Sequence, residues 1–202
     1  MSEVQDMPQA SWANLPFPLK MVGSALTWLS PAVEDPDKLR LISIGISHYV
    51  EKVRWALDLG SREFTEDPHL PGVQMFYTLP VTKDKSMTPC LVTRNAETPF
   101  ITDSTEILRY LQASDSSLSW LYPEDLAPQI ADWEDYFDQQ LGVAVRRFAY
   151  SHVLKDTALS LVVMTAELSN AERRMAPKML FGIKRVVSRE AQLWRTFNKI
   201  RR

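Results

Sequence analysis

The sequence predicts an α/β domain in the order βαβ then ββα, followed by an all-α domain. Three observations carry this. A strand, turn and helix run from Lys38 to Gly60; two short apolar strands lead straight into a capped helix between Cys90 and Leu111; and after Tyr122-Pro123 every strand signal vanishes and only helical periods remain. The chain divides on this basis into a mobile extension over 1–37, the α/β domain over 38–114 and the helical domain over 115–202.

In the extension, Pro16 to Trp28 suits a short amphipathic helix. Leu39, Leu41, Ile42 and Ile44 then form a strand stopped by Gly45, and a helix from Tyr49 to Leu59 buries Val50, Val53 and Leu57, with Gly60 as its C-terminal cap. The poorly periodic stretch from Phe64 to Lys85 has room for one strand and an irregular turn. Cys90-Leu91-Val92 and Phe100-Ile101 pair across the polar turn Arg94 to Glu97. Asp103-Ser104-Thr105-Glu106 is a capping box, and Ile107, Leu108 and Leu111 supply the buried face behind it. In the helical domain, Ile130, Trp133, Phe137, Leu141, Ala144, Val145 and Phe148 make one stripe of a long helix whose acids come early and whose bases come late, as the helix dipole favours. Two further helices, Asp156–Met175 and Lys178–Arg202, are separated by Pro177.

Apolar residues are 45% and charged residues 24% of the 202, which excludes a disordered chain, a collagen or a disulfide scaffold. The single cysteine, Cys90, can form no internal disulfide, so a reducing, cytoplasmic setting is expected. No apolar run approaches the roughly 18 residues of a membrane span, and the acidic opening suits neither a secretory signal nor a transit peptide. His48, His69 and His152 have no metal spacing, and there is no glycine-rich phosphate loop. From Lys178 to Arg202 eight basic residues face one acidic, a net of +7 that leaves −9 for the remainder. We read this segment as a packed amphipathic helix with a solvated basic face; contact with a membrane surface is the lesser alternative, and nucleic acid is not expected as a partner.

The run Ile46-Ser47-His48-Tyr49-Val50-Glu51-Lys52-Val53-Arg54-Trp55-Ala56-Leu57 resembles the first strand-to-helix turn of glutathione S-transferases, commonly S-P-[FY]-x-x-[KR]-V-R-x-A-L. Met87-Thr88-Pro89-Cys90-Leu91-Val92 is similar to that family's x-V-P-x-L-V, and Ile101 to Leu111 to its L-x-[ED]-S-x-x-I-x-x-Y-L. The three pieces fall in the family's order, and Leu121-Tyr122-Pro123 with the acidic-to-basic helix looks like its second domain. The resemblance implies a thioredoxin-like domain that binds glutathione as a substrate, conjugates it to small hydrophobic electrophiles in detoxification, needs no metal, and works as a homodimer.

It also implies the site. Ser47, opening the first helix, would stabilise the glutathione thiolate; its competing role is a plain N-cap. Tyr49 is the second hydroxyl, its competing role an aromatic packed on the strand. Thr88, before a cis Pro89, would offer its backbone to the cysteinyl part of the tripeptide, and Asp103 and Ser104 would hold the γ-glutamyl carboxylate. Met87 and Ser86 stand where the family often has a cation for the glycyl carboxylate, leaving Lys85 or Lys83 to reach in. Ser47 and Val50 fill the two positions of a C-x-x-C, which disfavours thiol redox chemistry, and Cys90 reads as a buried strand residue. Arg146, with Arg147, and Tyr150 are the candidates for lining the second-substrate pocket. Family members continue into a buried helix opened by a capping box and an aspartate. No such segment is evident before Arg202, so the second domain reads as cut short and as a non-catalytic module or fragment in the rival interpretation, with apolar helix faces left in need of a cover.

Overall fold

The computed structural model describes residues 12–182 and 184. The chain forms two compact units, Met1–Leu118 and Ser119–Arg202. In the first, helix α1 (Phe17–Leu29) precedes strand β1 (Leu39–Ser43), helix α2 (His48–Leu59), strand β2 (Phe64–Pro68), helix α3 (Met75–Thr82), strands β3 (Cys90–Val92) and β4 (Phe100–Ile101), and helix α4 (Ser104–Ser114). The four strands make one sheet in the order β2-β1-β3-β4, β2 parallel to β1 and the other pairs antiparallel. This is the thioredoxin-like order that the sequence predicts.

All five residues of β1 are buried, as befits a strand with a neighbour on each side. Helix α2 buries Val50, Val53, Ala56 and Leu57, and packs beside α4, which buries Ile107, Leu108 and Leu111. At the end of α2, Arg62 N–H bonds Leu57 C=O and Ser61 N–H bonds Asp58 C=O, the paired bonds of a Schellman ending. Its left-handed residue is Ser61, with φ of 50°, and not Gly60. Gly60 is required for a different reason: a Cβ there would lie 2.6 Å from a methyl of the fully buried Leu118.

Helix α3 is the element that the sequence does not announce. It buries Phe76, Tyr77, Thr78, Leu79 and Thr82 around most of its circumference and carries Pro80 in its body, so it has no amphipathic period to read. Part of its cover comes from residues 12–37. Gly23 of α1 approaches so closely that a Cβ would meet Phe76 at 2.5 Å, and Trp12 stands edge-on to the same ring. The segment expected to be a mobile extension thus carries an ordered helix seated on α3.

Behind α1 the chain is fastened by a buried charge cluster. Arg40 Nε and one terminal nitrogen both donate to Asp67 Oδ2, at 3.1 and 2.6 Å, and the other terminal nitrogen bonds Glu34 at 2.6 Å. Val33 N–H donates to Asp67 Oδ1, His69 Nε2 lies 3.1 Å from Asp67 Oδ2, and the Tyr77 hydroxyl donates to Ser30 C=O. Neighbouring strands and the approach to β1 are therefore tied through one carboxylate.

In the second unit, α5 (Ala127–Tyr136) runs through a π-helical turn (Phe137–Leu141) into α6 (Gly142–Val153), followed by α7 (Thr157–Thr165). Of the apolar stripe along this long helix, Trp133, Phe137, Leu141, Val145 and Phe148 are all exposed. Asp156 caps α7, its Oδ1 accepting from the Ala158 and Leu159 amides. The next helix then begins at 170 and runs through Pro177 to 182, so the break falls at 166–169 and not at the proline. Ser169 opens it, its hydroxyl accepting from Glu172 N–H. The rest of the expected helix Lys178–Arg202 lies outside the described residues.

Burial pushes the Asp67 carboxyl up, but the bonded imidazole of His69, the guanidinium of Arg40 and the Val33 amide together hold it below the ordinary 3.8. Its stabilising contribution is therefore complete above that value and lost as pH falls through the depressed one. Asp67→Ala leaves the buried Arg40 guanidinium with Glu34 alone and is expected to cost about 3 kcal/mol by urea denaturation. The variant should also show a weaker dependence of stability on pH below about 4, where ordinary carboxylates titrate.

Candidate functional site

The strand directions decide which loops meet. Because β1 is antiparallel to β3, with Ile42 opposite Cys90, and β3 is antiparallel to β4, with Leu91 opposite Ile101, the exit of β1, the entry of β3 and the exit of β4 share one end of the sheet. Ser47 and Tyr49 follow β1, Thr88 and Pro89 precede β3, and Asp103 and Ser104 follow β4. The sheet thus brings these six predicted residues to a common end. Lys85 lies in the loop leading to Thr88, exposed, with its backbone N–H and C=O both bonded to the Thr82 hydroxyl. Arg146 and Tyr150 belong to α6 of the other unit, both half-buried.

Ser47 occupies the N-cap position of α2 in extended geometry, yet its side chain caps no backbone amide. The first amides of the helix are left without that acceptor, and the hydroxyl is not spent on the helix. An anion placed here meets the positive end of the dipole together with an O–H donor. The only acid of the first turn, Glu51, is engaged by Arg54. Tyr49 is half-buried, its ring packed at 4.0 Å from that of His48.

The two residues at the start of α4 divide the work. Asp103 is the N-cap, Oδ1 accepting from Glu106 N–H at 3.0 Å, while Glu106 turns its carboxylate to Arg109 at 2.8 Å. Ser104 is only 4% exposed and takes no part in the cap. The Thr88–Pro89 peptide bond is cis. A contact that the sequence did not single out joins the two helix openings: Lys52 Nζ donates to Thr105 Oγ1 at 2.8 Å, bridging α2 to the first turn of α4. Its only sequence signal is the basic position of the x-x-[KR]-V-R motif.

Cys90 is wholly buried, and desolvation pushes its thiol up to about 12 despite the nearby charges of Arg40 and Lys85. It cannot serve as a thiolate at neutral pH. A cavity of about 360 Å³ opens at the opposite end of the sheet, among Asp37, Leu39, Arg62, Glu63, Arg94 and Tyr110. Its arginines are committed, Arg62 to Asp115 and Arg94 to the carbonyls of Lys38 and Asp35. Among the described residues no group of three or more His, Cys, Asp or Glu is placed to hold a metal ion.

Residues 41–117 match the family described as Glutathione S-transferase, N-terminal domain, and this part of the chain is a domain of that family. A helical region follows it. No curated protein matches the chain.

Because the Cys90 thiol stays protonated and shielded, iodoacetamide at about pH 8.5, where a free cysteine is half ionised, should leave the native protein unmodified. Stoichiometric alkylation by mass spectrometry is expected only once denaturant is added. Rapid labelling of the native protein would contradict the burial.

Proposed function

We propose that the protein is a glutathione transferase that activates glutathione as its thiolate and conjugates it to small hydrophobic electrophiles. The observation that carries this is the Ser47 hydroxyl, stationed at a helix opening that it does not cap. A free cysteine thiol titrates near 8.5, and lowering glutathione's by about two units requires about 2.7 kcal/mol. A hydroxyl bonded to a charged sulfur contributes about 1.5 to 3 kcal/mol, and a helix N-terminus about 0.3 to 1 more. The two together reach the requirement, so no further cation is needed at the sulfur.

In this reading Thr88 pairs its backbone with the cysteinyl residue, Ser104 and the first amides of α4 take the γ-glutamyl carboxylate, and Asp103 holds the helix opening in shape. Lys85 takes the glycyl carboxylate, and Arg146 and Tyr150 contact the electrophile. Tyr49 is the runner-up for the thiolate. The lone, buried cysteine suits work in the cytosol. Homodimerisation is supported by the exposed apolar stripe from Trp133 to Phe148, which a second copy would cover. The rival reading, a non-catalytic module of the same fold, would retain glutathione binding without turnover.

Removing the thiolate's hydrogen bond in Ser47→Ala should lower kcat with a chlorinated aromatic substrate by tenfold to about a few hundredfold, the equivalent of about 1.5 to 3 kcal/mol. Retention on glutathione-agarose should be nearly unchanged. Full kcat in the variant would move the assignment to Tyr49, and a wild-type protein that is retained but inert would favour the rival reading.

A further inference from the structure

Between Met7 and Val33 the sequence has one charged residue, Lys20, in a chain that is 24% charged. Such a stretch would ordinarily be core. Here Phe17–Leu29 of it forms a helix on the surface of its unit. Helix α1 touches its domain through its smallest residue, Gly23, and through Leu26, and turns its large side chains away: Phe17 is 73%, Met21 60% and Trp28 81% exposed, with Val22 and Leu29 beside them. The helix is held in this attitude at both ends, by Trp12 against Phe76 and by the Tyr77 hydroxyl on Ser30 C=O. Even the single charge is drawn in, since Lys20 Nζ donates to Ala13 C=O.

We propose that α1 docks this protein on a lipid bilayer surface, lying in the plane of the interface with Phe17, Met21, Val22, Trp28 and Leu29 in the headgroup boundary. Its length, about 20 Å at 1.5 Å per residue, is too short to cross, and no described helix is long and apolar enough to do so. An interfacial helix normally carries its own polar face; here the folded domain takes most of that place, and the large exposed side chains are apolar. Pro18 in the first turn removes an amide donor that would otherwise need water, and Trp28 near the other end is the residue type that settles at headgroup depth.

Lipid fits better than a protein partner for two reasons. The face has no charge with which to set a partner's register or exclude a wrong one. The chain also supplies the second signal that a single apolar contact needs for stable anchoring: the eight basic residues against one acidic between Lys178 and Arg202 answer an anionic leaflet. The inference is independent of the transferase reading, and its test needs no activity.

The full chain is sedimented with vesicles of phosphatidylcholine containing a minority of phosphatidylserine, and compared with Phe17→Ser/Met21→Ser/Trp28→Ser. The wild type should partition onto the vesicles and keep a measurable part of that binding at about 1 M salt, where the screening length is about 3 Å. The triple variant should lose at least about tenfold in partition coefficient, a loss that even one large apolar side chain can account for. Trp28→Lys, a single change at an exposed position, should lose binding in the same direction with an unaltered thermal transition, so that misfolding of the triple variant cannot decide the result. Absence of vesicle binding, or equal binding by the variants, would overturn the proposal. So would sedimentation in solution showing that the substitutions convert a dimer to a monomer, which would make a second copy the occupant of this face.

Discussion

The antiparallel register of β1 with β3 is the constraint on which the candidate site rests, because it sets which loops share one end of the sheet. With Ile42 opposite Cys90, the chain leaving β1 and the chain entering β3 emerge side by side, and the hairpin to β4 returns the opening of α4 to the same edge. A slip of one residue would exchange the faces of β3 and turn Cys90 out of the core. The register is held from both flanks. On one, Arg40 of β1 is bound to Asp67 of β2; on the other, Thr93 at the end of β3 accepts from Asn95 N–H and donates to Thr98 C=O to close the turn toward β4. Helices α2 and α4 then pack as neighbours, and Lys52 ties their opening turns together through Thr105.

Within that frame, the two helix openings differ in which side chains cap. A helix opening can spend a side-chain oxygen on its own amides or keep those amides for an anion, and the two openings here differ. At α4, Asp103 caps and Ser104 does not; at α2 the residue in the N-cap position does not cap at all. A carboxylate cap is compatible with a bound anion only if a second donor stands beside it, which Ser104 supplies. The thiol that neighbours this end, Cys90, is sealed by burial and held protonated.

Much of the first unit was legible in the sequence, because its elements have one face in and one face out. Alternation and capping signals mark β1, β3, β4, α2 and α4 to within a residue or so. What escaped did so for identifiable reasons. Helix α3 is covered on most sides and therefore has no period, and Pro80 reads as a break. Helix α1 was visible as a short helix, but nothing in its pattern says that Gly23 would be the contact and Trp28 the surface. Pro177 was taken for a helix boundary, whereas the boundary is set upstream by Ser169. Along α5 and α6, periodicity identified the stripe but not whether it faces a core or the outside. The motif order named Ser47, Thr88, Pro89, Asp103 and Ser104, which the sheet brings to one end, but only the hydrogen bonds distinguish a serine that caps from one that does not, and the link between Lys52 and Thr105 spans too much chain to be read from spacing.

The central claim is that the opening of α2 holds glutathione as a thiolate, and the ionisation of the bound thiol tests it without reference to any second substrate. Far-ultraviolet difference absorbance of the saturated protein, titrated against pH, reports the thiolate directly. The account predicts a bound thiol that ionises about two units below the roughly 8.5 of a free cysteine. A bound thiol that titrates at its ordinary value would contradict the account, whatever the fold around it.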